Sequence, residues 1–228
     1  MSQPRIAFIH ASPAAVDPVR QFYKEAAPEF EVTNLLDDGV MRLLASERPE
    51  SCEERLAEML ATARWIYNAD VAILTCSAVP RSTMAGLRAG AGYPVLKVDE
   101  PMARMAVAAG RRIGIVATFP NTRDVTRGLV LDAAAEAGVE VHLLDEVVPE
   151  ALQALMAGDP ETHDRLLLEA AEHLVAQQID ALVLAQVSMR RLLGTLSKRH
   201  PVPVLSSLDT SLAVVREMLA QGRTSSAP

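Results

Sequence analysis

The chain has 228 residues, of which 50% are hydrophobic and 22% are charged, a composition too apolar for a disordered protein and sufficient for a sizeable core. Its 22 Lys and Arg residues against 29 Asp and Glu residues give a net charge of −7, which argues against a protein that binds the phosphate backbone of nucleic acids. Two cysteines cannot form a disulfide scaffold, no apolar run approaches the roughly 20 residues of a membrane span, and the N-terminus shows no leader pattern. We therefore expect a cytoplasmic, enzyme-sized globular protein with no nucleic-acid or membrane partner.

Short apolar runs alternate with longer amphipathic stretches along the chain. In chain order they predict strands (β) and helices (α) at 5–9 (β), 17–27 (α), 31–36 (β), 51–68 (α), 70–75 (β), 94–98 (β), 112–117 (β), 122–138 (α), 139–144 (β), 160–178 (α), 180–185 (β), 201–205 (β) and 209–221 (α). The strand runs are continuous rather than alternating, which is typical of strands covered on both faces in a parallel sheet. We therefore predict an α/β protein with mainly parallel sheets flanked by helices, followed by a frayed tail at 223–228.

The two halves of the chain match each other in four places. At a nearly constant offset along the chain, the run 5–9 matches 112–116, 35–37 matches 143–145, 70–74 matches 180–184, and 94–96 matches 203–205 or the residues around 201. One such match could be chance among similar strands, but four in the same order predict two pseudo-symmetric α/β lobes, formed by 1–98 with 207–228 and by 99–206. Because ligands of open α/β sheets bind beyond the carboxyl ends of the strands, we expect an active site in the cleft between the lobes. The loops that would form it follow Ile9, Thr75, Ala117 and Ala185.

Cys76 stands at one of these strand ends and precedes a predicted helix start. A thiol in that position meets backbone N–H groups and the positive end of a helix, which favour the thiolate. The alternative, given equal weight, is a buried structural cysteine, because free cysteines are among the most buried residues. Cys52 lies in the first turn of a predicted helix, and we assign it no role.

The segment Val71-Ala72-Ile73-Leu74-Thr75-Cys76-Ser77-Ala78 resembles the first cysteine motif of the aspartate/glutamate racemase superfamily. This superfamily includes amino-acid and hydantoin racemases, maleate isomerase and arylmalonate decarboxylase. Further along the chain, 113–118 is similar to the opening strand of the family's second lobe, 180–184 to the strand carrying its second cysteine, and 203–207 to its final strand. The resemblance implies two pseudo-symmetric lobes, no cofactor, and a carboxylate-bearing substrate bound between them.

The duplication maps Cys76 onto Gln186, where a racemase of this family has its second thiol. Glutamine does not titrate near neutral pH, so proton transfer between two opposed thiols is unavailable to this chain. We therefore predict a cofactor-independent isomerase, racemase or decarboxylase that acts on a small carboxylate through Cys76, with Gln186 as a polar contact. Three reactions stay open: protonation of a carbanion after loss of carbon dioxide, addition of the thiolate to an activated double bond, and one-base proton exchange. The alternative is a non-catalytic carboxylate-binding or regulatory protein that has lost the second thiol.

The loops around these two positions supply candidate substrate contacts, namely His10, Ser12, Ser77, Ala78, Thr118, Asn121, Thr122, Val187 and Ser188. His10 either pairs with Cys76 and stabilises its thiolate or belongs with Ser12 to an ordinary capped turn. Asn121 or Thr122 would also cap the next helix, whose N-terminus can bind an anion. Arg81 and Arg191, which are separated by the same offset as Cys76 and Gln186, either bind a carboxylate or, as we favour, lie on solvated helix faces.

Other classes of site lack their sequence patterns. The chain has no Gly-x-Gly-x-x-Gly or Walker A loop for nucleotides, no His/Cys/Asp cluster with metal-ligand spacing, and no Gly-x-Ser-x-Gly elbow. A cysteine hydrolase built on Cys76 and His10 stays open, although hydrolysis has no particular use for a duplicated fold. Met and Ala residues on helix faces permit a homo-oligomer but do not require one.

Overall fold

The computed structural model describes residues 3–46 and 49–224. Along these residues the chain forms β1 (Arg5–His10), a short 3₁₀ helix (Pro13–Ala15), α1 (Val16–Ala26), β2 (Glu31–Leu36), α2 (Val40–Leu44), α3 (Pro49–Trp65), β3 (Val71–Leu74), α4 (Arg81–Ala91), β4 (Val95–Lys97), α5 (Glu100–Ala109), β5 (Arg112–Ala117), α6 (Pro120–Glu136), β6 (His142–Val147), α7 (Pro149–Met156), α8 (Pro160–Ala176), β7 (Ala181–Leu184), a second 3₁₀ helix (Val187–Leu192), α9 (Leu193–Arg199), β8 (Val204–Ser206) and α10 (Ser207–Thr224). Since α10 continues to Thr224, the predicted frayed tail begins too early, and its remainder at 225–228 lies outside the described residues.

The strands form two four-stranded sheets. Their orders are β2-β1-β3-β4 and β6-β5-β7-β8, and each neighbouring pair of strands is parallel. Parallel neighbours need crossover connections, which the intervening helices supply. The α/β fold with parallel sheets flanked by helices is therefore confirmed.

The chain divides into two compact units, each built round one sheet. We call the unit formed by residues up to 98 and from 211 onward unit 1, and the unit formed by 99–210 unit 2. Because α10 begins at Ser207, it starts in unit 2 and continues in unit 1. The sequence-based division put this second crossing between residues 206 and 207.

Both faces of each sheet are buried, which explains the continuous apolar runs. In unit 1, Ala7 and Ile9 of β1 join a cluster with residues of α3, while Phe8 between them packs edge-to-face on Tyr23 of α1 with ring centroids 4.8 Å apart. In unit 2, Ile113, Ile115 and Ala117 of β5 join a cluster with α5 and α6, and Val116 joins a second cluster with α8. Successive strand residues point to opposite faces, so a strand with both faces covered must be apolar throughout.

Five of the helices, α2, α4, α5, α7 and α9, were not predicted as separate elements, although a helix start after Cys76 was. They span five to eleven residues, and the shorter of them present too few turns for a clear helical period. Two glycines of α4, Gly86 and Gly90, weaken its pattern further. The start of α6 also differs from the prediction, because the helix begins at Pro120 with Phe119 as its N-cap. Proline is favoured at the first position of a helix, and Asn121 and Thr122 are therefore first-turn residues rather than caps.

The pairing of central strands reproduces the duplication. In unit 1, Ile9 of β1 pairs with Leu74 of β3, and in unit 2, Val116 of β5 pairs with Leu184 of β7. The sequence match aligns Ile9 with Val116 and Leu74 with Leu184. The two units therefore share one internal register across β1 and β3 and across β5 and β7.

The match between residues 35–37 and 143–145 is wrong by three residues. Leu35 pairs with Ile9, whereas Val116, the counterpart of Ile9, pairs with Glu146 rather than with Leu143. β6 accordingly runs from His142 to Val147 instead of the predicted 139–144. It is an edge strand whose residues are only partly buried, so polar residues enter it and the apolar run does not mark its bounds.

In each unit, an aspartate carboxylate accepts hydrogen bonds from backbone N–H groups at the start of a central strand, β1 or β5. Asp70 Oδ2 accepts a hydrogen bond from the Arg5 N–H at 2.8 Å, and Asp180 Oδ2 accepts from the N–H groups of Arg111 and Arg112 at 2.7 and 2.8 Å. The hydrogen bonds from Arg112 and Arg111 lower the pKa of Asp180. These contacts lie at the amino ends of the sheets, opposite Cys76 and Gln186.

The turns before these carboxylates are also alike. Asn68 and Gln178 have φ values of 55° and 59°, and they are separated by the same offset as Asp70 and Asp180. Both follow a long helix, α3 or α8, and a left-handed residue commonly ends a helix in this way. The duplication therefore extends from the strands to the turns that lead into them.

Candidate functional site

Cys76 lies just beyond the carboxyl end of β3 in unit 1. The Thr75 N–H still donates to the Ile9 carbonyl at 3.0 Å, and the Val79 N–H then closes a turn on the Cys76 carbonyl at 3.3 Å. The Cys76 side chain is partly exposed, and its Sγ lies 3.8 Å from the Sδ of Met41. The thiol therefore stands at the sheet edge where ligands of α/β proteins bind.

The other cysteine, Cys52, is the buried structural one. It is 1% exposed within the core of unit 1. Burial, with smaller electrostatic contributions from Cys76 and Glu53, raises the pKa of the Cys52 thiol to about 11. Cys52 is thus a protonated thiol at neutral pH, and it provides a matched comparison for Cys76.

His10 is buried and contacts the residue before Cys76. Its Nδ1 lies 2.8 Å from Thr75 Oγ1, and its Nε2 lies 2.9 Å from Asn34 Oδ1. Burial lowers the pKa of His10, although the hydrogen bond with Asn34 opposes this. The imidazole is therefore neutral near pH 7, with Nε2–H donating to Asn34 and Nδ1 accepting from the Thr75 hydroxyl. Both ring nitrogens are therefore engaged by Thr75 and Asn34, and direct pairing with Cys76 was one of the two alternatives that the sequence left open.

Three further predicted contacts lie near these residues in unit 1. Ser12 caps the first 3₁₀ helix, since its Oγ accepts a hydrogen bond from the Ala14 N–H at 3.3 Å, which is the capped-turn alternative. Ser77 and Ala78 follow Cys76 directly and are 7% and 4% exposed. Their backbone N–H groups lie in the loop between β3 and α4, next to the thiol.

Lys97 is a buried charged residue that the sequence analysis missed. It is the last residue of β4 and is wholly buried, with Nζ 3.4 Å from the carbonyl oxygen of Ser77. The signal for it was a single charged side chain within the apolar run 94–98. Lysine is rarely fully buried, so this position is unusual.

In unit 2, Gln186 occupies the position that corresponds to Cys76, two residues beyond the end of β7. Its Oε1 accepts two hydrogen bonds from Thr118, one from the N–H at 2.8 Å and one from the hydroxyl at 2.9 Å. Thr118 is 2% exposed, so this pair fixes the plane of the Gln186 amide. Thr118, a predicted substrate contact, therefore orients Gln186 through its N–H and its hydroxyl.

The remaining predicted contacts of unit 2 lie in first turns of helices. Asn121 is exposed and Thr122 is buried, both in the first turn of α6. Val187 and Ser188 begin the 3₁₀ helix that follows Gln186. N–H groups in a first helical turn lack acceptors within the helix and are available to other groups.

The two mirrored arginines differ in their surroundings. Arg191 is about half exposed and pairs with Asp164 at 2.9 Å, as expected of a solvated helix face, and Arg81 is an exposed first residue of α4. The neighbouring Arg190, which the sequence analysis did not single out, makes a bidentate pair with Asp209 at 2.9 and 3.0 Å. The Ser206 hydroxyl donates to the same carboxylate at 2.8 Å, so this cluster stands at the end of β8.

Two other kinds of feature are absent from residues 3–46 and 49–224. No cluster of three or more His, Cys, Asp and Glu side chains in these ranges has the arrangement of a metal site. No helix within them combines the length and the apolar character that crossing a bilayer requires.

The structure defines a two-unit α/β protein with a thiol at the end of β3, and comparisons with known proteins identify its family. The profile of the Asp/Glu/Hydantoin racemase family matches residues 19–215. The chain belongs to this family, and the predicted superfamily resemblance is confirmed.

Individual relatives are distant. The chain is 27% identical over 135 residues to a hydantoin racemase of Rhizobium meliloti, a match that covers 58% of this chain and 54% of the relative. It is 28% identical over 160 residues to a glutamate racemase of Picosynechococcus sp., covering 69% of this chain and 56% of the relative. The chain thus spans little more than half the length of these two relatives. The structure of an allantoin racemase from Klebsiella pneumoniae aligns with a TM-score of 0.73 at 19% identity, covering 96% of this chain and 89% of that one, which shows the shared fold.

Proposed function

We propose that this chain is a cofactor-independent racemase, isomerase or decarboxylase that acts on a small carboxylate through Cys76. The observation that carries the proposal is the partly exposed thiol of Cys76 at the carboxyl end of β3, beside the otherwise buried loop residues Ser77 and Ala78. Membership of the racemase family supports the reaction class. The named racemases among its relatives support an amino-acid or related substrate.

The chemistry assigned to Cys76 is proton transfer at the carbon next to a carboxylate, or addition to an activated double bond. As a thiolate, Cys76 removes the α-proton, and the electron pair left behind spreads onto the carboxylate oxygens as an enediolate. Fixed N–H donors then stabilise the developing negative charge. The backbone N–H groups of Ser77 and Ala78 are the candidate donors nearest the thiol.

Gln186 cannot supply the second proton transfer, because its side-chain amide does not titrate. With Oε1 engaged by Thr118, its amide nitrogen is the part that can donate a hydrogen bond. We therefore assign Gln186 a polar contact with the substrate carboxylate. A single thiol is sufficient for one-base exchange, for isomerisation of a double bond or for protonation after loss of carbon dioxide.

Hydrogen exchange in deuterated water tests this proposal. Amino acids, hydantoins, dicarboxylates and arylmalonates are incubated with the wild-type chain, with Cys76→Ala and with the matched control Cys52→Ala. We expect turnover or α-deuterium incorporation for at least one substrate, retained in Cys52→Ala and abolished in Cys76→Ala. Exchange that survives in Cys76→Ala, or its absence from the folded wild-type chain across the whole set, would contradict the proposal. In the latter case, carboxylate binding measured by calorimetry would instead support the non-catalytic binding protein.

A further inference from the structure

Lys97 lies next to the strand that leads to Cys76. It is the last residue of β4, and it pairs in the parallel sheet with Leu74, two residues before the thiol. In unit 2 the corresponding position beside Leu184 is taken by Ser206, a small uncharged residue. The corresponding strand position therefore holds a lysine in one unit and not in the other.

The Lys97 side chain reaches across to the loop that carries the thiol. Its Nζ lies 3.4 Å from the carbonyl oxygen of Ser77, the residue directly after Cys76, and the side chain is wholly buried. Burying an ammonium group is unfavourable unless polar groups compensate for the lost water. The contact of Lys97 Nζ with this carbonyl therefore helps to hold the loop, and the charge of the lysine adds a positive potential beside it.

The other ionisable groups around this loop come from each element packed on it. His10 of β1 contacts Thr75, and burial lowers its pKa. α3 contributes Cys52, protonated at neutral pH, and Glu53. α4 begins with the exposed Arg81, and the exposed Arg42 lies on α2. The buried carboxyl of Asp99 follows Lys97 by two residues. Among these groups, Lys97 is the buried cation.

We propose that Lys97 is a positioning residue for Cys76, which holds the 76–77 segment through the Ser77 carbonyl and stabilises the Cys76 thiolate by its buried charge. The inference rests on the proposed function only in taking Cys76 as the reactive group. Lys97 would not touch the substrate itself. Its role would be to control the protonation state of Cys76. An opposite charge within a few ångströms favours the charged form of an ionisable group.

Alkylation of Cys76 by iodoacetamide, followed by mass spectrometry of the full chain over a range of pH, tests this inference without any substrate. In the wild-type chain we expect half-maximal alkylation rate below the pH of about 8.5 that is usual for a free cysteine. Lys97→Met should raise this midpoint by about one pH unit and slow alkylation near neutral pH about tenfold. Lys97→Arg should restore much of the shift, and Lys24→Met, which removes an exposed lysine of α1, should change nothing.

A purely structural role for Lys97 predicts a different result. Loosening the loop would change the plateau rate of alkylation and leave its pH midpoint unchanged, and that outcome in folded Lys97→Met would overturn the inference. If Lys97→Met does not fold, Lys97→Gln replaces it, and a wild-type midpoint at or above the usual value overturns the inference without any variant. Because no turnover is measured, loss of the Lys97 effect and absence of catalysis are separate outcomes.

Discussion

His10 makes the stability of unit 1 depend on pH. Its ring is buried and burial lowers its pKa from 6.5, so the unfolded chain binds the proton more readily than the folded chain. The stabilisation from the neutral ring is therefore fully present above about pH 6.5 and is lost as the pH falls below that value. Replacing the imidazole, as in His10→Gln, removes this dependence.

The size of the effect follows from the linkage relation. Between about pH 7.5 and about pH 5.5, a histidine that titrates near 6.5 when unfolded and stays neutral when folded contributes a loss of at most about 1.4 kcal/mol. His10→Gln also loses the hydrogen bonds to Thr75 and Asn34, which lowers its stability at each pH by about 1–3 kcal/mol. The two effects separate, because only the first changes the slope of stability against pH.

Urea unfolding of wild type, His10→Gln and the control His142→Gln at several pH values measures these slopes. His142 is exposed, so its replacement should leave the wild-type slope unchanged. We expect the unfolding free energy of His10→Gln to fall less steeply than that of wild type below about pH 6.5. Equal slopes for wild type and His10→Gln would refute the argument that a buried neutral ring resists protonation.

Two further predictions concern unit 2. Thr118→Val removes the hydroxyl donor to Gln186 and should lower the unfolding free energy in urea by about 1 kcal/mol relative to Thr118→Ser, which keeps it; equal stabilities would contradict the role of this hydrogen bond. Gln186→Cys places a thiol at the position equivalent to Cys76, and we expect chiral chromatography to show new or faster racemisation of a bound substrate that Cys76→Ala abolishes. No gain in a folded Gln186→Cys chain would count against the sequence-based expectation that both strand ends serve one substrate.

The strands were predictable because their surroundings are uniform. β1, β3, β5 and β7 are covered on both faces, so a continuous apolar run marks each of them. The edge strand β6 is only partly buried and includes Asp145 and Glu146, so the apolar run places it three residues too early. The short helices gave too little periodicity to be found one by one.

Candidate site residues could be predicted from the sequence where a chemically suitable side chain follows the end of a predicted strand. Cys76 and its counterpart Gln186 follow from the duplication alone, and the register of the strands places both at corresponding ends. Side-chain pairing is decided by packing across distant parts of the chain, so the partners of His10 and the use of Thr118 to orient Gln186 could not be derived from spacing. Lys97 was overlooked because a single lysine in an apolar run is typical of a strand end at the surface.

The two units have corresponding features at the amino ends of their sheets, namely the carboxylates Asp70 and Asp180 and the left-handed residues Asn68 and Gln178. The side chains that differ between the units, Cys76 and Gln186, lie at the carboxyl ends. The features at the amino ends secure the backbone of each sheet at the edge where no chemistry is assigned. Substitutions at residues 76, 97, 118 or 186 leave these contacts untouched, and effects at well-separated positions are close to additive. A thiol in unit 1 and an amide in unit 2 thus stand on the same strand arrangement, so the sheet does not dictate which side chain follows its central strand.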